Sequence, residues 1–185
     1  MSIKKNNFPW LLLLGLILST NACQLRESDS DSKKSHPSHI YNYSPISGSD
    51  LAYVQTDYVP VYSDIYHRDG TRRFSLTVTL SIRNTSRTDS AYILLANYHD
   101  SYGTHLYSYV DSTILLTPLE AIEFVVDEKQ ITGGAGANFI VKWGATKYAD
   151  QLLIQTVMIG TSGQQGISFV TDAKKIEEQK VQLKK

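Results

Sequence analysis

The stretch RFSLTVTLSIRN, residues 73–84, decides the fold class. Its apolar side chains occupy every second position and alternate with hydroxyl-bearing side chains. Successive side chains of a β-strand point to opposite faces, so this period of two predicts a strand with one buried face and one solvated face. The apolar positions are Phe74, Leu76, Val78, Leu80 and Ile82. The RNTS segment that follows has the composition of a turn.

Similar segments lie on both sides of this stretch. Before it, YVPVYSDIYHRDG reads as a strand in which Pro60 indicates an edge position or a bend, closed by a turn at Asp69 and Gly70. After it come SAYILLANYHD, HLYSYVDSTILL, AIEFVV, NFIVKW, QLLIQTVMIGT and GISFVT. No amphipathic helix separates these segments. We therefore expect an all-β domain, an immunoglobulin-like β-sandwich of about seven or eight antiparallel strands.

The first 22 residues are typical of a secretory signal peptide. Two lysines precede an apolar run that is about half the ~20 residues a membrane-spanning helix needs. The single cysteine of the chain, Cys23, directly follows Ala22 in STNAC. This arrangement resembles the lipobox of bacterial lipoproteins, in which the thiol receives a diacylglyceryl group. Thr20 stands where that motif usually has leucine, so ordinary signal-peptide cleavage, releasing a soluble exported protein, is the alternative.

Lipidation at Cys23 would give an N-terminus with more than one acyl chain, palmitate among them, which is what stable membrane anchoring requires. Gln24 follows the cysteine, and in a Gram-negative host the resemblance implies transport to the outer membrane. The membrane is thus one expected partner, reached through the lipid. Removal of residues 1–22 takes two lysines and no acidic residue, which leaves a formal charge of −2. Such a chain lacks the basic excess that nucleic-acid binding requires.

The composition predicts four regions. Residues 1–22 form the signal peptide, and residues 23–50, rich in Ser, Asp, Lys, Pro and Gly, form a disordered tether that contains His36 and His39 as solvated side chains. Residues 51–172 form the β-domain. Residues 173–185 form a charged tail without an apolar stripe, in which we expect at most a frayed helix.

The glycine cluster in ITGGAGANFIVKW invites comparison with phosphate-binding loops. Those loops work because a helix N-terminus follows the glycines and supplies free amides to the phosphate. Here the β-strand pattern NFIVKW follows instead, so the cluster predicts a structural turn and no nucleotide binding. Gly133, Gly134 and Gly136 would supply positive φ angles or a close backbone approach.

Six segments together resemble a bacterial family known only as domain of unknown function 3124. They are YVPVYSDIYHRDG, LTVTLSIRNTS, YHDSYG, TPLEAIEFVV, GGAGANFIVKW and VMIGTSGQQGISF. The resemblance covers about residues 58–171, nearly the whole predicted domain. It implies an exported or lipid-anchored bacterial protein and brings no activity, cofactor or catalytic residue with it.

Catalytic motifs are incomplete in the sequence. GTSGQ has glutamine where the nucleophile elbow needs glycine, and a strand pattern follows it. Glu120 and Glu123 are predicted on opposite faces of one short segment, which does not suit the carboxylate pair of a glycosidase. His99 and His105 flank a turn at Gly103 and are expected to approach each other across a hairpin. Spacing fixes no third metal ligand beside them, although Asp100 and Asp111 are nearby in sequence.

The sequence therefore predicts a non-catalytic envelope module that binds a protein or a glycan, with no cofactor and no bound metal. The predicted contact surface is the hairpin tip formed by His99, Tyr102 and His105, because exposed aromatic side chains are enriched where proteins meet partners. Two alternatives stay open: a structural envelope lipoprotein without a dedicated ligand, and a metal-dependent hydrolase.

Overall fold

The computed structural model describes residues 41–147, 152–162 and 165–180 of the 185-residue chain. The predicted signal peptide, Cys23, His36, His39 and residues 181–185 of the tail lie outside the described residues. Within the described part the protein is all-β, with twelve strands, two short 3₁₀ helices and no α-helix. None of the helices in this part has the length and apolarity that a membrane span requires.

The 3₁₀ helices are Gly48–Asp50 and Ile131–Gly133. The strands are β1 (Tyr53–Pro60), β2 (Asp64–His67), β3 (Arg72–Ser75), β4 (Thr77–Arg83), β5 (Ala91–His99), β6 (His105–Ser108), β7 (Ile114–Leu116), β8 (Ala121–Val126), β9 (Asn138–Ala145), β10 (Leu153–Ser162), β11 (Gln165–Asp172) and β12 (Lys174–Lys180).

The strands form three antiparallel sheets. The larger sheet has the order β12-β1-β9-β5-β6, and β7 also pairs with β5. The second sheet has the order β11-β10-β4-β8, and β2 pairs only with β3 as a separate hairpin. The two larger sheets share one buried core, which makes the arrangement β-sandwich-like.

One hydrophobic core joins the two larger sheets. The alternating positions of β4, namely Val78, Leu80 and Ile82, are fully buried and confirm the sequence prediction for this strand. They belong to the same cluster as Phe139 and Trp143 of β9. Burial of this continuous apolar surface is the main favourable contribution to folding. The single core explains why the domain needs no disulfide.

The predicted strand at residues 73–84 is two strands in the structure. The chain breaks at Leu76, whose amide donates to Ser63 O at 2.9 Å, and β3 then gives way to β4. β3 pairs with β2, whereas β4 pairs with β8 and β10. The sequence period continues through the break because Phe74 and Leu76 both face the core cluster. The first predicted segment and the HLYSYVDSTILL segment likewise each give two strands, β1 with β2 and β6 with β7. These three divisions and the unexpected β12 raise the strand number to twelve.

Pro60 does not mark an edge strand. β1 lies between β12 and β9, and Pro60 is its last residue, where the missing amide costs no ladder bond. Its carbonyl oxygen accepts hydrogen bonds from Thr156 Oγ1 at 2.9 Å and Thr171 Oγ1 at 2.7 Å. The proline therefore ends a central strand and ties it to the second sheet.

The expected frayed helix in the charged tail is wrong for residues 174–180, which form strand β12. Tyr53 pairs with Lys180, and Tyr58 pairs with Lys174, along the free edge of β1. Every side chain of β12 is exposed. The backbone hydrogen bonds of β1 therefore create this strand, and no hydrophobic period could reveal it.

Residues 41–50, assigned to the tether by sequence, lie against the domain. Tyr43 forms a β-bridge with Ile114, and the Leu115 amide donates to Asn42 O at 2.8 Å. The Tyr41 ring packs against Phe124 with ring centroids 5.9 Å apart. Among the described residues the folded domain thus begins at Tyr41, and the predicted boundary at residue 50 is too late.

Candidate functional site

Three segments meet at one end of the domain and enclose a cleft of about 430 Å³. They are the β2–β3 hairpin, the tip of the β5–β6 hairpin and the glycine-rich segment at residues 131–136. The side chains on the cleft wall that carry chemistry are Tyr66, Arg73, Ser101 and Tyr102. The glycine-rich segment contributes mainly backbone to the wall. A concave surface that combines aromatic rings with a few polar groups is typical of binding sites.

Ser101 holds the glycine-rich segment in place. Its amide and its hydroxyl donate to Gly133 O at 2.9 Å and 3.0 Å, and the Gly136 amide donates to Ser101 Oγ at 2.9 Å. Gly134 has a φ of 78°, which only glycine adopts without strain. A Cβ at Gly133 would lie 1.9 Å from Tyr98 Oη. The segment is a structural turn that leads into β9, as the sequence predicts, although only Gly134 of the three glycines has a positive φ.

Gly134→Val should destabilise the domain, because a β-branched side chain combines a strained φ with a Cβ only 2.6 Å from Ser101 Oγ. We expect a loss of about 1–3 kcal/mol in the free energy of unfolding, measured by chemical denaturation. Gly103→Val is the matched control, because Gly103 has a φ of 82° and no atom near its Cβ position. Equal losses in the two variants would show that the Ser101 contact contributes nothing.

The β2–β3 hairpin positions Arg73 between two partners. Cross-strand pairing places Tyr66 opposite Arg73, and the guanidinium lies 5.0 Å from the Tyr66 ring centroid. Arg73 Nη2 donates to Tyr66 Oη at 3.1 Å, and Nη1 donates to Asp64 Oδ2 at 2.8 Å. The hydrogen bond with Tyr66 and the charge of Asp64 raise the pKa of Arg73. Asp64 is buried, with 3% of its side chain exposed, so its salt bridge with Arg73 fixes the position of the guanidinium.

The β5–β6 hairpin presents Tyr102 at its tip, where 94% of the residue is exposed. Asp100 Oδ1 accepts the amides of Tyr102 and Thr104, both at 2.8 Å, and thereby fixes the turn. Desolvation alone would raise the pKa of Asp100, but hydrogen bonds from Thr104 and Tyr102 outweigh it and the net shift is downward. The turn around Gly103, with a φ of 82°, agrees with the sequence prediction.

His99 and His105 are brought together, as the hairpin register predicts. They pair across β5 and β6, and their ring centroids are 5.5 Å apart in an edge-to-face arrangement. His105 Nε2 lies 3.0 Å from Ser108 Oγ. Neither histidine lines the cleft that Tyr102 lines. No group of three or more metal-ligating side chains is placed to hold an ion anywhere in the described ranges.

The tyrosines near this hairpin differ in their environment. Tyr98 is buried and packs against Phe139 at a ring-centroid distance of 5.0 Å. Tyr109 is partly buried and packs against the core, and this burial, together with the nearby Tyr98 and Tyr107, raises its pKa to about 12. Tyr107 is 59% exposed and lines no part of the cleft. Only Tyr102 of this group is available to a partner at the cleft.

Tyr66 and Arg73 are residues of the cleft that the sequence does not single out. Both lie where the sequence pattern predicts one early strand and the start of the next. A strand on each side of the predicted turn at Asp69 and Gly70 would give a hairpin that pairs these two residues. The approach of this hairpin to residues 131–136, some sixty positions later, has no local signature in the sequence.

The structure describes most residues of the incomplete catalytic motifs. Residues 160–162 of GTSGQ belong to β10, and β11 begins at Gln165, so a strand and no helix follows. Glu120 accepts hydrogen bonds from the amide and hydroxyl of Thr117, both at 2.7 Å, and caps a turn. The Ser108–His105 contact is exposed, and no described carboxylate is hydrogen-bonded to that histidine.

Comparisons with known proteins assign a family to the chain. A family model described as "Protein of unknown function (DUF3124)" matches residues 54–176. A comparison with curated proteins gives no match. A solved structure described as "Crystal Structure of Thermotoga maritima 1070" is similar with a TM-score of 0.38 and 10% identity, over 65% of this chain and 92% of that one. A similarity at this level carries no argument about fold or function.

Proposed function

We propose a non-catalytic binding role in the cell envelope for this chain, which belongs to the DUF3124 family. The β-domain would bind a protein or glycan partner through the end cleft, while a lipid on Cys23 would hold the chain at the membrane, at the outer membrane in a Gram-negative host. The scaffold would be an immunoglobulin-like sandwich, a topology that the packing of two antiparallel sheets on one core supports.

The observation that carries this proposal is the arrangement of Tyr66, Arg73 and Tyr102 around the cleft. Tyr66 is 58% exposed and Tyr102 is almost wholly exposed, so both rings present large apolar surfaces to solvent. Tyrosine and arginine are the side chains most enriched at binding hot spots. Rigid rings also lose little conformational entropy when a partner packs on them, and the β2–β3 hairpin already fixes Arg73. These features favour a binding surface that is formed before the partner arrives.

Partner capture from cells tests this role. The full-length, Cys23-anchored chain is cross-linked in the envelope and recovered, with Tyr66→Ala, Tyr102→Ala and Tyr107→Ala compared with the wild type. We expect each of the first two substitutions to reduce recovery of the partner by about tenfold, which corresponds to about 1.4 kcal/mol. Tyr107→Ala is the matched control, because its ring is as exposed as that of Tyr66 but lies outside the cleft.

Two outcomes would contradict the proposal. Undiminished recovery with both cleft variants would show that the partner binds elsewhere. A similar loss with Tyr107→Ala would show that the substitutions act without regard to the cleft. Recovered material is then divided into protein and glycan by protease and glycosidase treatment, which assigns the class of partner.

The lipid anchor leads to a separate prediction. Cys23 is the only cysteine of the chain, so a fatty-acid analogue should label the wild type and leave Cys23→Ser unlabelled. Once its signal peptide is cleaved, Cys23→Ser should also leave the membrane fraction, because the acyl chains are the proposed anchor. Normal processing and membrane retention of Cys23→Ser would contradict lipidation.

A further inference from the structure

A second cavity, of about 670 Å³, lies between the β2–β3 hairpin and the first residues of β11. His67 and Arg72 form a cross-strand pair and both line it. Side chains alternate along each strand, so this pair lies on the hairpin face opposite to Tyr66 and the bulk of the end cleft. The cavity is therefore a surface distinct from the one assigned to partner binding, with Arg73 at the boundary of the two.

All ionisable side chains that line this cavity in the described part of the chain are basic: His67, Arg68, Arg72 and Arg73. Asp64 pairs with Arg73 on the other face of the hairpin. Asp69, at the hairpin turn, accepts hydrogen bonds from the hydroxyl and amide of Thr71 and from the amide of Arg72. Asp64 is paired with Arg73, whereas Asp69 accepts hydrogen bonds from neutral donors and keeps its charge at the turn. Asp69 therefore offsets one of the two positive charges of Arg68 and Arg72, and the lining of the cavity stays basic.

Arg68 adopts an unusual backbone conformation. Its φ is 62°, in the left-handed region, and the Asp69 amide donates to His67 O at 2.7 Å around it. A turn of this tightness is strained for a residue with a side chain. Gly70, two positions later, does not have a positive φ, so the left-handed conformation of this turn falls on Arg68. The residue in this strained conformation is one of those that line the cavity, and backbone strain of this kind is concentrated at functional sites.

The rest of the wall is mainly apolar, with Gln165 and Gly166 beside three apolar side chains. Ile65, Phe74 and Ile167 contribute side chains to it. The Phe74 ring is seated over Gly160 of β10, where an added Cβ would lie 2.3 Å from Phe74 Cε1. Such close packing leaves the ring little freedom to collapse into the cavity. A ligand would therefore meet cations on one side and a rigid apolar surface on the other.

We propose that this cavity binds a phosphate monoester that carries an apolar group. Planar guanidinium groups recognise phosphate through paired N–H donors, and two arginines with one histidine can address three terminal oxygens. A carboxylate offers only two oxygens to the same donors. The apolar wall would hold the organic part of the ester. The site is independent of the role proposed for the end cleft and stands if that role fails.

Calorimetric titration of the full-length chain in detergent, at low ionic strength, tests the site. Phenyl phosphate should bind saturably, and inorganic phosphate and benzoate should each bind about tenfold more weakly, since each lacks one of the two recognised parts. Arg68→Ala with Arg72→Ala should weaken phenyl phosphate binding by more than about tenfold. Short-chain phosphatidic acid is added in the same titration to identify the source of the phosphate. Binding at least as tight as that of phenyl phosphate would indicate a lipid headgroup, and no binding would indicate a soluble phosphate ester.

The control variant is Arg83→Ala with Arg87→Ala. It removes the same charge, but Arg83 ends β4 at the end remote from the hairpin and Arg87 is exposed in the loop that follows. Equal weakening in this variant would show general electrostatic attraction and overturn the proposal, as would the absence of saturable binding or benzoate binding as tight as that of phenyl phosphate. Tyr102→Ala should leave phenyl phosphate affinity unchanged, so failure of the end cleft and failure of this site are distinguishable.

Discussion

Trp143→Ala should lower the free energy of unfolding by about 3–5 kcal/mol, because the substitution leaves a large cavity in the core. Trp143 is fully buried, and its ring lies 5.5 Å from that of Tyr53. Its Nε1 donates to Asp57 Oδ2 at 2.8 Å, and Gln55 Nε2 donates to Oδ1 of the same carboxylate at 2.7 Å. Loss of the indole therefore also leaves a buried carboxylate oxygen without its donor, which adds to the cavity term.

Circular dichroism during urea denaturation is the suitable measurement, since one of the two tryptophans is itself replaced. Trp143→Phe keeps an aromatic ring but removes the N–H donor, and we expect it to cost about 1–3 kcal/mol. Tyr107→Ala removes an exposed ring whose edge-to-face contact with Tyr109 has a centroid distance of 4.9 Å, and it should cost no more than about 1.5 kcal/mol. A loss below about 1 kcal/mol for Trp143→Ala would show that β9 does not form the centre of the core.

Gly160→Val should destabilise the domain by about 1–3 kcal/mol or more, through overpacking at a position that has no room. An added Cβ would lie 2.3 Å from Phe74 Cε1, 2.7 Å from Leu76 Cδ2 and 2.9 Å from Ser75 O. The last of these is a backbone atom and cannot move without shifting the chain between β3 and β4. The displaced Phe74 ring should also reduce phenyl phosphate affinity, because it forms part of the apolar cavity wall.

Gly166→Val is the matched control for this substitution. Gly166 lies on the neighbouring strand β11, and the nearest atoms to its Cβ position are 3.8 Å away, which is ordinary van der Waals contact. The same change should therefore be nearly neutral in chemical denaturation. Equal stability of the Gly160→Val variant and the wild type would contradict the seating of Phe74 over β10.

Features encoded by local periodicity could be predicted from the sequence. The alternation in β4 predicted core positions correctly, because each of its apolar residues is buried. The alternation after the glycine cluster likewise predicted the strand β9, and a strand at that place excludes a phosphate-binding helix. The turn at Gly103 was predictable because a positive φ favours glycine. These inferences need only neighbours in sequence.

Features that depend on distant neighbours could not be predicted. β12 exists because β1 has a free backbone edge, and its exposed charged side chains carry no hydrophobic period. Asp57 and Trp143, joined by a hydrogen bond, are 86 residues apart. The end cleft combines three segments that only the tertiary fold brings together. The hairpin pattern can pair Tyr66 with Arg73 but cannot place them beside residues 131–136, whereas Tyr102 is predicted from its own hairpin.

The central claim is that the chain contacts its partner at the end cleft. Site-specific photo-crosslinking in living cells tests it most directly, with p-benzoylphenylalanine placed at Tyr102 and, in a separate strain, at Tyr107. We predict one discrete adduct from position 102 on irradiation and none from position 107, although both side chains are exposed. An adduct from position 107 alone, or no adduct from position 102, would contradict the account.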